Sequence, residues 1–237
     1  MRLHRFYLSQ PLGEEIVIES VSTIKQMYNV FRYKEGDLVT VFNGEGLDIT
    51  YKIKSISSSV CELSKIESRS SILVDKKLTL YISVIKKDNV ELVAQKATEL
   101  GVSKIVPIIS ERSEKKGLNK ERLEKIAIEA SEQCGRGDIP VIDDIKSFDE
   151  ALSSRNTGAL SIFAQMGGLN ISEKSFQGKL NLAKEKNSEI NIWIGPEGGW
   201  SEKEIERFEK ENMIGVSLGK TVLRAETAAI VGSAFLL

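Results

Sequence analysis

The sequence predicts an α/β chain of two domains, a small amino-terminal β module over residues 1–70 and a larger α/β domain over residues 71–237. Three observations carry that prediction. Short runs in which apolar and polar residues alternate fill the stretch from Gly36 to Ile66. Beyond Ser71 the pattern changes to apolar runs separated by stretches of helical period, the signature of a mainly parallel sheet flanked by helices. Two of those later runs end in glycine-bearing turns that pass straight into helix-starting sequence.

In the β module the strands are Leu38–Phe42, Ile49–Ile53 and Val60–Leu63, separated by turn-forming Asn43-Gly44-Glu45-Gly46 and Ser57-Ser58-Ser59. Ile49, Tyr51 and Ile53 alternate with Thr50, Lys52 and Lys54, which puts one face on a core and one in water, as in a small antiparallel sheet or barrel. In the second domain the apolar runs are Leu78–Val84, Ile105–Ile109, Ala159–Ala164, Ile190–Ile194 and Gly215–Leu218. Asp88 to Glu91 reads as a capping box opening a helix that Gly101 closes, and Ser201 to Glu204 opens another. Leu123, Ile126, Ala127, Ala130 and Cys134 share one face of a helix between Asn119 and Gly135.

Composition narrows the class. A chain of 237 residues, 41% hydrophobic and 28% charged, can bury a real core and is not a disordered polymer. No apolar run reaches the length of a bilayer span, and Met1-Arg2-Leu3-His4-Arg5-Phe6 lacks the apolar centre of a signal peptide, so a cytoplasmic address is expected. Cys61 and Cys134 have no CxxC spacing and are expected as buried thiols, with neither a disulfide framework nor a zinc site. One histidine, His4, cannot build a histidine-based metal centre or triad elsewhere. A net charge of −1 means that a nucleic-acid partner must be met by a local basic surface.

The segment Ile190–Ser201 is the most informative, because a buried-type strand runs into Gly195-Pro196-Glu197-Gly198-Gly199 and then into a capped helix. Glycines let a backbone approach a ligand closely, and ligands of open α/β sheets gather at the carboxyl ends of strands. A tight strand-to-helix turn needs glycine for itself as well, so the pattern alone supports both readings. It is neither GxGxxG nor GxxxxGK[ST], and Pro196 removes an N–H, which excludes the common dinucleotide and triphosphate cradles. A second such passage runs from Val216 through Gly219 to Arg224, Glu226 and Thr227, just before the apolar terminus Ala228–Leu237. Arg224 and Glu226 read as groups that work on a ligand or, as the lesser alternative, as an ordinary ion pair.

Segments Ile194–Ser201 (IGPEGGWS) and Ser217–Ala228 (SLGKTVLRAETA) together resemble the paired signature of the ribosomal RNA small subunit methyltransferase E family. Lys96–Val102 (KATELGV), Pro107–Ser113 (PIISERS), Ala127–Arg136 (AIEASEQCGR) and the opening Arg5-Phe6 resemble the same family in the same order, so the resemblance covers nearly the whole chain. Val30-Phe31-Arg32 departs from the family's usual Val-Leu-Arg, and the histidine often found just upstream is absent.

This resemblance implies a SPOUT methyltransferase: a carboxy-terminal α/β trefoil-knot domain, an amino-terminal PUA-like β-barrel and a homodimer. It implies S-adenosylmethionine as cofactor, no metal, and methylation of N3 of a uridine in 16S ribosomal RNA, free or in the assembled small subunit. By the same resemblance Gly195, Glu197, Gly198, Leu218, Gly219 and Leu223 line the cofactor pocket. Arg224, Glu226 and Glu197 are the groups for polar work at the methyl, with Arg224 facing charge on the uracil oxygens and either carboxylate, or water, taking the proton. RNA contacts are expected from Arg5, Arg32, Lys86, Lys87, Arg112 and Arg136, with Lys115 and Lys116 adding to a basic excess between Lys104 and Lys125. The competing readings are a related methyltransferase acting on transfer RNA or on a ribose, and a non-catalytic RNA-binding assembly factor.

Overall fold

The computed structural model describes residues 3–74, 77–114, 117–186 and 189–237, with only the backbone of Lys87 and Lys184. The chain divides into two compact units, Met1–Leu73 with Ser131–Ile139, and Val74–Ala130 with Pro140–Leu237. The boundary read at 70/71 falls just short of Leu73, while Ser131–Ile139 joins the first unit from far along the chain.

The first unit is a five-stranded sheet of β1 (Arg5–Tyr7), β2 (Glu15–Ile18), β3 (Leu38–Phe42), β4 (Leu47–Ile56) and β5 (Cys61–Ser70), in the order β1-β3-β4-β5-β2. β1 runs parallel to β3 and the other pairs are antiparallel. The alternation in β4 behaves as its sequence dictates: Ile49, Tyr51 and Ile53 are buried while Lys52 and Lys54 are exposed. They join Phe6, Ile18, Ile24, Met27, Val39, Val41 and Leu63 in one core. Ser20 caps the short helix α1 (Val21–Lys25), which passes into a π-helical turn, Gln26–Val30.

Two arginines expected to face RNA are instead buried in this unit. The Arg5 guanidinium donates to both Asp48 oxygens, at 3.1 and 2.7 Å, and to the carbonyls of Ser131 and Arg136, and it stacks 4.1 Å from the Phe42 ring centroid. Arg136 donates to both oxygens of Asp138, at 3.2 and 2.6 Å, and is itself buried. A buried guanidinium must be paired and hydrogen-bonded, as both of these are, and with 6% and 4% of their surfaces exposed neither is open to a phosphate. Arg5 also ties Ser131–Ile139 to β1, helped by Glu132, whose carboxylate accepts from the Tyr7 N–H at 2.8 Å.

The second unit is a seven-stranded, wholly parallel sheet. Its strands are β6 (Leu78–Ser83), β7 (Lys104–Ile109), β8 (Val141–Ile142), β9 (Lys146–Ser147), β10 (Leu160–Asn170), β11 (Ile190–Ile194) and β12 (Ile214–Ser217). The order is β12-β10-β11-β6-β7-β8, with β9 also on β7. The helices are α2 (Lys87–Leu100), α3 (Lys120–Cys134), α4 (Phe148–Ser154), α5 (Lys174–Glu185), α6 (Glu202–Lys210) and α7 (Ala225–Leu236).

The five apolar runs all become strands, and Gly101 closes α2. The expected box at Asp88 does not form: Lys86 is the N-cap, without a side-chain bond, and Asp88 sits in the first turn, where a carboxylate favours the positive end of the helix dipole. Cys61 is buried as expected, and burial pushes its thiol up to about 11, whereas Cys134, at the end of α3, is exposed. One face of the sheet buries an aromatic cluster in which Trp193 stacks on Tyr81 at 4.0 Å and Phe208 packs against Phe163, Trp193 and Trp200. The apolar helix α7 packs on α2, β6 and β11, which accounts for its composition.

The ladder between β10 and β12 is interrupted. β10 pairs with β12 up to Ala164 and again from Leu169, and the residues between bulge outward. Gly168 passes so close to β12 that a Cβ there would lie 2.8 Å from the Gly215 carbonyl carbon and oxygen. Backbone cannot swing aside as a side chain can. Gly168→Ala is therefore expected to cost about 1–3 kcal/mol, read as a lower denaturant midpoint.

Candidate cofactor and methyl-transfer site

Three segments meet around a cavity of about 310 Å³: the bulge of β10 with Gln165 and Met166, the turn after β11 with Gly195, Glu197 and Trp200, and residues 217–225 after β12. The volume suits a small organic ligand. Because the strands are parallel, the turns after β11 and β12 open on the same edge of the sheet. Ile194, Leu218, Val222, Leu223, Ala225 and Ala228 make much of the lining apolar.

Local sequence explains how each wall is held. Gly199 takes a left-handed conformation, φ 67°, and its N–H donates to the Pro196 carbonyl at 2.9 Å, closing the turn. Trp200 follows, and its indole N–H donates to the Ala164 carbonyl at 3.0 Å, pinning the β10 bulge to the β11 turn. A Cβ at Gly195 would lie 3.2 Å from the indole ring, so this position packs directly on Trp200. Ser201 then caps α6 in the expected box: its hydroxyl accepts from the Glu204 N–H, and the Glu204 carboxylate accepts from the Ser201 N–H. Residues 218–224 adopt neither helix nor strand, so their peptide groups are not committed to a ladder.

Of the expected cofactor residues, Gly195, Glu197, Leu218, Gly219 and Leu223 line the cavity. Gly198 does not: it turns the other way, where its carbonyl accepts from Arg112 Nη1 at 3.0 Å. Arg224 lines the cavity with its side chain 86% exposed and Nη1 4.0 Å from Glu226 Oε1. Glu226 is buried behind it and does not reach the cavity, whereas Glu197 is exposed at its edge. Arg32, Lys86 and Arg112 are exposed, Arg32 with the uncommon φ of 56°. Lys115, Lys116 and the side chain of Lys87 lie outside the described residues. Sequence reasoning missed Gln165, Met166, Trp200 and Thr221; the Gly167-Gly168 pair just past the apolar run Ala159–Ala164 was the available signal for the first two.

The fold agrees with the comparisons. Residues 74–237 match the RNA methyltransferase domain, and residues 27–66 match the RNA methyltransferase PUA domain. These define the class, an RNA methyltransferase with a PUA domain at its amino-terminal end. A ribosomal RNA small subunit methyltransferase E from Rickettsia conorii is 33% identical over 238 residues, covering 99% of this chain and 95% of the relative. Its Bacillus subtilis counterpart is 30% identical, covering 87% and 84%. The structure of a ribosomal RNA small subunit methyltransferase E from Neisseria gonorrhoeae, bound to S-adenosyl methionine, superposes with a TM-score of 0.84 at 27% identity, covering 98% and 96%. The chain belongs to the ribosomal RNA small subunit methyltransferase E family.

Proposed function

We propose that the protein binds S-adenosylmethionine in the cavity between β10, β11 and β12 and transfers its methyl group to N3 of a uridine in 16S ribosomal RNA, in the cytoplasm. The observation that carries this reading is the meeting of three loop segments around an apolar cavity with Arg224 at its mouth. The residues fit that cofactor. Apolar walls and peptide groups at 218–224 that lie outside any sheet ladder suit an adenosine moiety, and no phosphate has to be cradled.

When bound, the cofactor supplies a methyl group on a positively charged sulfur, ready for in-line transfer. The protein must then place the uracil and help N3 lose its proton. Arg224 is proposed to hold the negative charge that spreads onto the uracil oxygens, a role supported by a guanidinium that is both exposed and on the cavity wall. Glu226, buried at 4.0 Å, orients that guanidinium. Glu197, exposed at the cavity's edge, is the carboxylate proposed to take the proton, directly or through water. Arg32 and Lys86 are the exposed cations proposed to meet RNA phosphates.

The trefoil knot and the homodimer belong to this proposal too. The near contact of the Gly168 and Gly215 backbones and the return of α7 onto β11 and β6 support a threaded carboxy terminus. Val231 and Phe235, each 37% exposed on α7, support a face for a second copy.

Incubation with labelled S-adenosylmethionine and either unmodified small ribosomal subunits or transfer RNA tests the substrate class. Label is expected in the subunits' RNA alone. Label in transfer RNA would move the target, no label in either RNA despite cofactor binding would favour a different RNA substrate, and absence of cofactor binding would favour the assembly-factor reading.

A further inference from the structure

A line of hydrogen bonds crosses the ends of β7, β6 and β11 outside the cavity. Ser83, at the end of β6, meets Ser110 at 3.0 Å, and Ser110 meets Ser113 at 2.9 Å between hydroxyls and at 3.1 Å from its N–H. This fixes the turn after β7 that carries Glu111 and Arg112. Glu204, a buried carboxylate, accepts from the Glu111 N–H at 2.9 Å through one oxygen and from the Ser201 N–H at 2.8 Å through the other. Arg112 adds a third tie by donating to the Gly198 carbonyl at 3.0 Å. Its stem packs there as well, since a Cβ on Gly198 would lie 3.3 Å from Arg112 Cβ.

From this we infer that Arg112, with Glu204 behind it, is a positioning residue that holds the Gly195–Trp200 turn in its cofactor-binding shape. The inference rests on the proposal that this turn binds S-adenosylmethionine. Arg112 looks, in sequence, like one more surface cation for RNA. The structure gives its guanidinium a task inside the protein, because a charge-assisted bond to a turn carbonyl fixes which way the neighbouring peptide groups point. Turn backbone that recognises a ligand must be held before the ligand arrives, or binding carries the cost of ordering it.

Two readouts on the full-length protein test this without RNA. In Arg112→Ala, hydrogen–deuterium exchange over residues 195–201 of the cofactor-free protein should speed up, and the Kd for S-adenosylmethionine by calorimetry should rise about tenfold. Glu204→Gln, which replaces one accepting oxygen with an amide nitrogen that only donates, should move both readouts the same way. If Arg112→Ala leaves both local exchange and cofactor Kd unchanged, Arg112 does not hold the turn and the inference is wrong. A wild-type protein that fails to bind the cofactor would overturn the cofactor proposal, while the exchange measurement still decides whether Arg112 holds the turn.

Discussion

Arg224→Ala is expected to lose methyl transfer by about 10²- to 10³-fold, the range seen when a group that stabilises developing negative charge is removed. Cofactor Kd should stay within about twofold of wild type, because the loss falls in kcat when an interaction is made only in the transition state. The structure favours that split. The Arg224 side chain is 86% exposed and carries little of the fold, and its neighbour Glu226 is buried among the first residues of α7, where a carboxylate also suits the helix dipole. Glu226→Gln should give a smaller loss, since it removes the orienting partner and leaves the guanidinium. A cofactor Kd that rises in step with the loss of turnover would assign Arg224 to binding the cofactor instead.

The largest effect on stability is expected at Asp48. Arg5 and Asp48 have side chains 3% and 6% exposed, and Asp48 also receives Arg69 at 3.3 Å. Asp48→Ala leaves a guanidinium in a site with no solvent to replace its partner, at a cost of about 3–5 kcal/mol. The loss should appear as a lower denaturant midpoint, and Ser131–Ile139 should exchange faster, because Arg5 holds the Ser131 and Arg136 carbonyls. Replacing both partners by apolar residues of similar volume should recover much of the loss, as no charge is then stranded. A contact role for Arg5 predicts the reverse: stability kept and RNA affinity reduced in Asp48→Ala.

Elements whose stability comes from local pattern were legible in the sequence. β3 has the bounds its alternation predicts, β11 ends where its apolar run does, and the box at Ser201 forms as written. Each depends on residues within a few positions of one another. β1 and β2 were not legible, because three or four residues hold too little alternation and their pairing is with distant strands. The same cause hid the state of Arg5. A cation's burial is decided by whether a carboxylate meets it in space, and Asp48 lies 43 residues from Arg5.

The candidate site divides along the same line. The glycine turns and Arg224 could be read from sequence, and the resemblance attached them to a cofactor. That Gly198 faces Arg112 and not the cavity depends on which side of a turn a carbonyl points, which composition does not encode. Likewise Trp200 reads as an ordinary core aromatic, and it is one, yet its N–H also fastens two walls of the cavity together.

The central claim is transfer of a methyl group to N3 of uridine, and nucleoside analysis of 16S RNA labelled by the purified protein tests it most directly. All of the label is expected in N3-methyluridine, and Arg224→Ala should slow formation of that product by the factor given above. Label in a ribose-methylated nucleoside, or on a different base, would contradict the assignment of the uracil edge to Arg224 and Glu197.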